Sequence, residues 1–124
     1  MSEIVLNDAV IKKVKEEAAD MVKTAMGKDL VKIVLYGSCA RGDYTQDSDI
    51  DIALIMACDR LEAKKYNEII AEISMQLAMK YFSVVNFVCL PYAEYAKKKE
   101  ILVFLFSEYR FRGRGVVWSL KMHF

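Results

Sequence analysis

The sequence predicts an α+β domain, and three observations carry that prediction. Apolar residues recur at helical spacing over 7–26, at Val10, Ile11, Val14, Ala18, Met21, Val22 and Ala25. Two runs of strand length, LVKIVLY (30–36) and IDIALIM (50–56), are rich in β-branched residues and enclose a polar stretch with two glycines. Beyond them the patterns continue in turn, so the described order is helix, strand, loop, strand, helix, strand, helix.

Each element has local signals of its own. Asn7 is an N-cap for the first helix and Gly27 stands just past its end, with lysines and glutamates on its outer face. The strand at 30–36 stops at Gly37, and the strand at 50–56 is followed by DRLE (59–62). There an Asp with a Glu three residues on has the spacing of a capping box. The helix it opens has Tyr66, Ile69, Ile70, Ile73 and Leu77 as its inward stripe and runs to about Lys80. SVVNFVCL (83–90) is a third strand closed by Pro91, and PYAEYAKKKE reads as a short helix with Pro91 at or near its first position.

Composition sets bounds on this architecture. The chain has 124 residues, 55% hydrophobic and 28% charged, with one proline, the profile of a single domain over 1–124 able to build a core. A net charge of +1 gives no global attraction to nucleic acid or an anionic membrane, so any charged ligand must be held locally. Cys39, Cys58 and Cys89 form no CxxC pair, and His123 is the lone histidine, so no zinc spacing can be assembled. Free thiols, no secretory leader and no apolar window approaching about 18 residues predict a cytoplasmic protein without a membrane span.

The run ILVFLF (101–106) cannot be assigned by periodicity. YRFRGRGVVWSLKMHF (109–124) then carries Arg110, Arg112, Arg114 and Lys121 with no balancing acid, so 101–124 reads as a divergent C-terminal tail. Arginines among Tyr109, Phe111 and Trp118 could contact nucleic acid, but packing on the core or on a partner is the simpler reading.

The chemistry concentrates in GSCARGDYTQDSDID (37–51). Side chains alternate along a strand, so Asp49 and Asp51 share a face while Ile50 and Ile52 take the other. Two carboxylates side by side repel unless a cation lies between them, and hard oxygen ligands suit Mg²⁺ or Mn²⁺ shared with substrate phosphates. Upstream, Gly37 lets the backbone approach a ligand, the Ser38 hydroxyl and nearby N–H groups can hold phosphate oxygens, and Gly42 supplies a permissive φ where the turn ends. Phosphate-holding residues thus leave one strand and metal-holding residues enter the next.

This pattern, GSxxxGxxxxxSDxD at Gly37, Ser38, Gly42, Ser48, Asp49 and Asp51, resembles the signature of the DNA polymerase β-like nucleotidyltransferase superfamily. The chain is similar to its minimal nucleotidyltransferases, the MNT proteins, in element order over 7 to about 100 and in motif over 36–52. The resemblance implies a nucleotidyltransferase fold with a small mixed sheet flanked by helices. It further implies Asp49 and Asp51 as catalytic metal ligands, with Gly37, Ser38, Gly42 and Ser48 on the nucleotide side. The substrate would be an NTP, with ATP favoured, and the reaction transfer of NMP to a hydroxyl with release of pyrophosphate.

The resemblance also implies a partner, because MNT proteins commonly act as antitoxins beside a small helical HEPN protein. A chain this short has no room for a large acceptor, which favours a partner protein over a nucleic-acid substrate; self-association stays open. At Asn86, where relatives usually carry a third carboxylate, an amide can ligate weakly but cannot act as a base. Nucleotide binding should therefore survive better than turnover, and the alternative is an impaired nucleotide-binding module that neutralises its partner by contact. The tail departs as well, reading Arg114-Gly115-Val116-Val117-Trp118 where MNT chains often end in Glu-Gly and a short apolar run.

Overall fold

The computed structural model describes residues 5–97 and 118–121, so the end of the helix expected over 91–100 and the expectations for 101–117 and 122–124 lie outside the described residues. Among the described residues, four strands form one sheet: β1 (Leu30–Tyr36), β2 (Ile50–Met56), β3 (Val85–Pro91) and β4 (Trp118–Lys121), in the order β3-β2-β1-β4. β1 is antiparallel to β2 and β4, whereas β2 is parallel to β3, which makes the sheet mixed. The expected α+β architecture is present. β4 had no expectation attached to it, being short and set inside the basic tail.

The first helix, α1 (Asp8–Met26), forms as its signals require. The Asn7 side chain accepts the Val10 amide at 2.9 Å, and Gly27, at φ +53°, ends the helix while its N–H bonds the Lys23 carbonyl. Ile11, Val14, Ala18 and Val22 face inward, against Leu30, Ile33 and Leu35 of β1 and Ile50, Ile52, Leu54 and Met56 of β2. Burial of such aliphatic side chains contributes about 1.5–3 kcal/mol each, so this face is the main source of stability. The opposite face of the sheet has a smaller cluster at Val34 and Ile55, partly covered by Tyr95 of the short helix α5 (Tyr92–Lys97). The site described below lies on this thinner face.

One expectation is corrected. The helix predicted from DRLE to Lys80 is interrupted: α3 (Arg60–Ala63) gives way to a 3₁₀ turn at Lys64–Tyr66, and α4 (Asn67–Tyr81) follows. Asp59 does cap α3, accepting the Glu62 amide at 2.8 Å. The turn sets the Tyr66 hydroxyl against Asp29 and the Met26 carbonyl, a long-range attachment that overrides the helical pattern. Along α4, Ile70, Ile73, Leu77 and Tyr81 are buried, while Ile69 faces an open groove of about 710 Å³ between α1 and α4. α4 ends at Phe82, a non-glycine residue at φ +52°.

The three cysteines are free thiols, Cys39 and Cys58 buried and Cys89 half-buried. No helix among the described residues is long and apolar enough to cross a membrane.

Candidate functional site

Antiparallel pairing of β1 with β2 sets Tyr36 opposite Asp51, and parallel pairing of β2 with β3 sets Asp51 opposite Asn86. One row across three strands therefore gathers a turn, a carboxylate and an amide. Past Tyr36 the chain turns at Gly37, with φ +77° and ψ −163°, a region open essentially to glycine alone. A Cβ at Gly37 would lie 2.5 Å from Asp51 Oδ2, so the glycine also makes room for the carboxylate. The sequence suggested a close backbone approach here; the structure shows that the group approaching is Asp51.

The four-residue helix α2 (Ser38–Arg41) follows, its Ala40 and Arg41 amides bonded to the Gly37 carbonyl at 3.1 Å each. Gly42 closes it in the left-handed conformation at φ +90°, with its N–H on the Ser38 carbonyl at 2.9 Å. Arg41 Nε pairs with Asp43 at 3.2 Å.

The loop to β2 is folded by its own hydroxyls. Ser48 Oγ accepts the Thr45 amide at 2.8 Å, and the Ser48 amide returns to the Thr45 carbonyl at 3.1 Å. Ser48 thus helps to build the loop that leads to β2, and the motif sets it on the nucleotide side. The loop is tied to the N-terminal segment at two points. Gln46 donates to the Leu6 carbonyl and accepts the Leu6 amide, both at 2.8 Å, and the Tyr44 hydroxyl donates to Asp8 at 2.7 Å. Sequence reading missed these residues, because contacts across 36 and 40 positions leave no local pattern.

At the start of β2, Asp49 is exposed and Asp51 half-buried, and both point the same way, as the period of two predicts. Asn86 Nδ2 donates to Asp49 Oδ2 at 3.0 Å and to Asp51 Oδ1 at 3.2 Å. Burial pushes the Asp51 carboxyl up from the ordinary range; the Asn86 hydrogen bond opposes that rise and the Asp49 charge adds to it. Cys39 donates its thiol to the Asp49 carbonyl at 3.4 Å, and burial, then Asp51 and Asp49, push that thiol up to about 11. At neutral pH it is protonated and a poor nucleophile. Glu94, the next acid after Asn86, is held at 2.6 Å by both Nε and Nη2 of Arg60, between α5 and α3.

The donor set decides which cation fits. Two carboxylates beside an open surface suit a hard divalent ion such as Mg²⁺, which takes one or two carboxylates and completes its shell with water and substrate phosphates. Among the described residues, no third acidic, histidine or cysteine side chain joins the pair. Asp49, Asp51 and Asn86 thus stand together with Gly37 and the start of α2, while Ser48 is engaged in the loop.

The family model for the nucleotidyltransferase domain matches residues 11–106. Two proteins of Methanocaldococcus jannaschii, each named a putative protein adenylyltransferase, are 34% identical over 71 residues and 31% identical over 72. Those alignments cover 57% and 58% of this chain, and 64% and 70% of the two relatives. A crystal structure described as a toxin–antitoxin with AMP-PNP is 28% identical, with a TM-score of 0.41 over 68% of this chain and 57% of that one. The match over most of the chain, on the elements that carry the motif, places this protein in the nucleotidyltransferase domain family.

Proposed function

We propose that the domain binds an NTP, ATP by preference, with Mg²⁺ and transfers NMP to a hydroxyl of a partner protein. The observation that carries this reading is the convergence of Asp49 and Asp51 on one point beside the Gly37 turn. Gly37, Ser38, Gly42 and Ser48 would take the nucleotide side, and Asp49 and Asp51 the metal side. When bound, Mg²⁺ supplies charge neutralisation and polarisation of the phosphoryl oxygens.

In the transfer, the acceptor oxygen forms a bond to the α-phosphorus while the bond from that phosphorus to the bridging oxygen breaks, and pyrophosphate leaves. The acceptor proton must also leave. Asn86 cannot take it, having no basic site, so at this open surface it passes to solvent water. The chain's own work is therefore to bind, orient and hold charge rather than to act as a strong base.

The names of the M. jannaschii relatives support a protein as acceptor. The motif resemblance supports a HEPN-type helical partner, with this chain as antitoxin in the cytoplasm. A second reading has one observation in its favour, the amide at position 86: a domain that holds nucleotide and neutralises its partner by contact alone.

Incubation of the purified protein with Mg²⁺ and α-labelled ATP, with and without the product of the neighbouring gene, separates the two. The transferase reading predicts label on the partner, lost in Asp49→Asn and Asp51→Asn. Retained ATP binding without label transfer would leave the binding module.

A further inference from the structure

We propose that Asn86 closes the carboxylate pair to a bare divalent cation, so that the ion enters only together with a nucleotide triphosphate. The inference rests on the reading of Asp49 and Asp51 as cation ligands. It concerns the order in which that site fills.

Each hydrogen of the Asn86 amide group has a carboxylate to meet, Asp49 Oδ2 at 3.0 Å and Asp51 Oδ1 at 3.2 Å. The reverse orientation would aim an amide oxygen at two anions, so the nitrogen is the end that faces them. Asp51 Oδ2 is engaged differently: it lies over Gly37, so close that a Cβ there would stand 2.5 Å away. Of the four carboxylate oxygens, two are held by the amide and a third is packed against the turn. The ladder between β2 and β3, with Asp51 opposite Asn86, fixes the amide in this place.

An amide and a carboxylate at position 86 would have opposite consequences for an approaching ion. A third carboxylate would add to the repulsion, which an entering cation relieves. Asn86 relieves that repulsion with no ion present, and a bare cation must break both hydrogen bonds to enter. A triphosphate changes the balance, because its oxygens complete the shell of an ion that needs only one or two carboxylates.

The probe is Mn²⁺, followed by the loss of its free paramagnetic resonance signal in the absence of nucleotide. In parallel, Mg²⁺-dependent binding of a fluorescent, non-hydrolysable ATP analogue is followed by anisotropy. Asn86 is exposed, so Asn86→Ala should fold, and a thermal melt verifies it. Removing the amide should tighten binding of Mn²⁺ alone by about tenfold or more, the equivalent of losing charge-assisted hydrogen bonds. Asn86→Asp should tighten it at least as much. The wild type should bind the analogue in the presence of Mg²⁺ yet bind Mn²⁺ alone more weakly than either variant.

Equal Mn²⁺ affinity in the wild type and Asn86→Ala would overturn the proposal, even if Asn86→Asp binds more tightly. Failure of every form to bind the analogue, with the Mn²⁺ ranking as predicted, would overturn the nucleotide reading instead. The two failures are therefore distinguishable.

Discussion

At one end of the β1–β2 pair, Asp29 accepts the Tyr66 hydroxyl and lies 3.4 Å from the Lys65 ammonium; at the other, Asp49 and Asp51 share one neutral amide. The Tyr66 hydrogen bond holds the Asp29 carboxyl below its ordinary value, while burial pushes Asp51 above it. One end answers a carboxylate with a donor and a cation of its own. At the other, among the described residues, two carboxylates meet through one neutral amide, an arrangement that a charged ligand would complete. The contrast separates residues that hold this fold together from those proposed to hold a ligand.

The sharpest way to break the contrast is at Gly37. Gly37→Ala adds a Cβ to a backbone region that essentially only glycine occupies, against Asp51 Oδ2. A destabilisation of about 2–3 kcal/mol is expected in urea melts, accompanied by loss of nucleotide binding as Asp51 is displaced. Wild-type stability in this variant would mean that the turn relaxes freely and that the close approach has no structural weight.

Gln46→Ala tests the ties between the site loop and the N-terminal segment. It removes both partners of the Leu6 main chain, and a loss of about 1–2 kcal/mol is expected. Faster hydrogen exchange at 43–48 than at β1 would locate the effect in the loop.

Tyr66→Phe tests the settled end, and its effect is the smallest. A lowered carboxylate contributes stability above its unfolded value and loses it as pH falls through the folded value. The variant should therefore be less stable than the wild type at neutral pH, and the gap should narrow in acid. The Asp29 bond pushes the Tyr66 hydroxyl up to about 12, so the donor itself does not titrate across this range. An unchanged acid limb would remove Asp29 from the account.

The parts legible in the sequence are those written in short-range signals. β1 and β2 begin and end where the β-branched runs do, and Asn7, Gly27 and Asp59 act at the helix ends where their chemistry points. The shared face of Asp49 and Asp51 follows from the period of a strand. What was not legible depends on partners far along the chain. Tyr66 breaks the long helix by reaching Asp29, and Gln46 finds Leu6 from 40 residues away. The position of Asn86 against both aspartates needed the parallel register of β3 on β2, which a strand's own sequence does not specify.

The end of the sheet that holds Asp49 and Asp51 is proposed as the site for a nucleotide with a divalent cation. Calorimetric titration of ATP into the wild type and Asp51→Asn, each with Mg²⁺ and with EDTA, tests it most directly. Saturable one-to-one binding is expected in the wild type with Mg²⁺, with weakening by about a hundredfold or more with EDTA or in Asp51→Asn. ATP affinity unchanged by EDTA and by Asp51→Asn would contradict it.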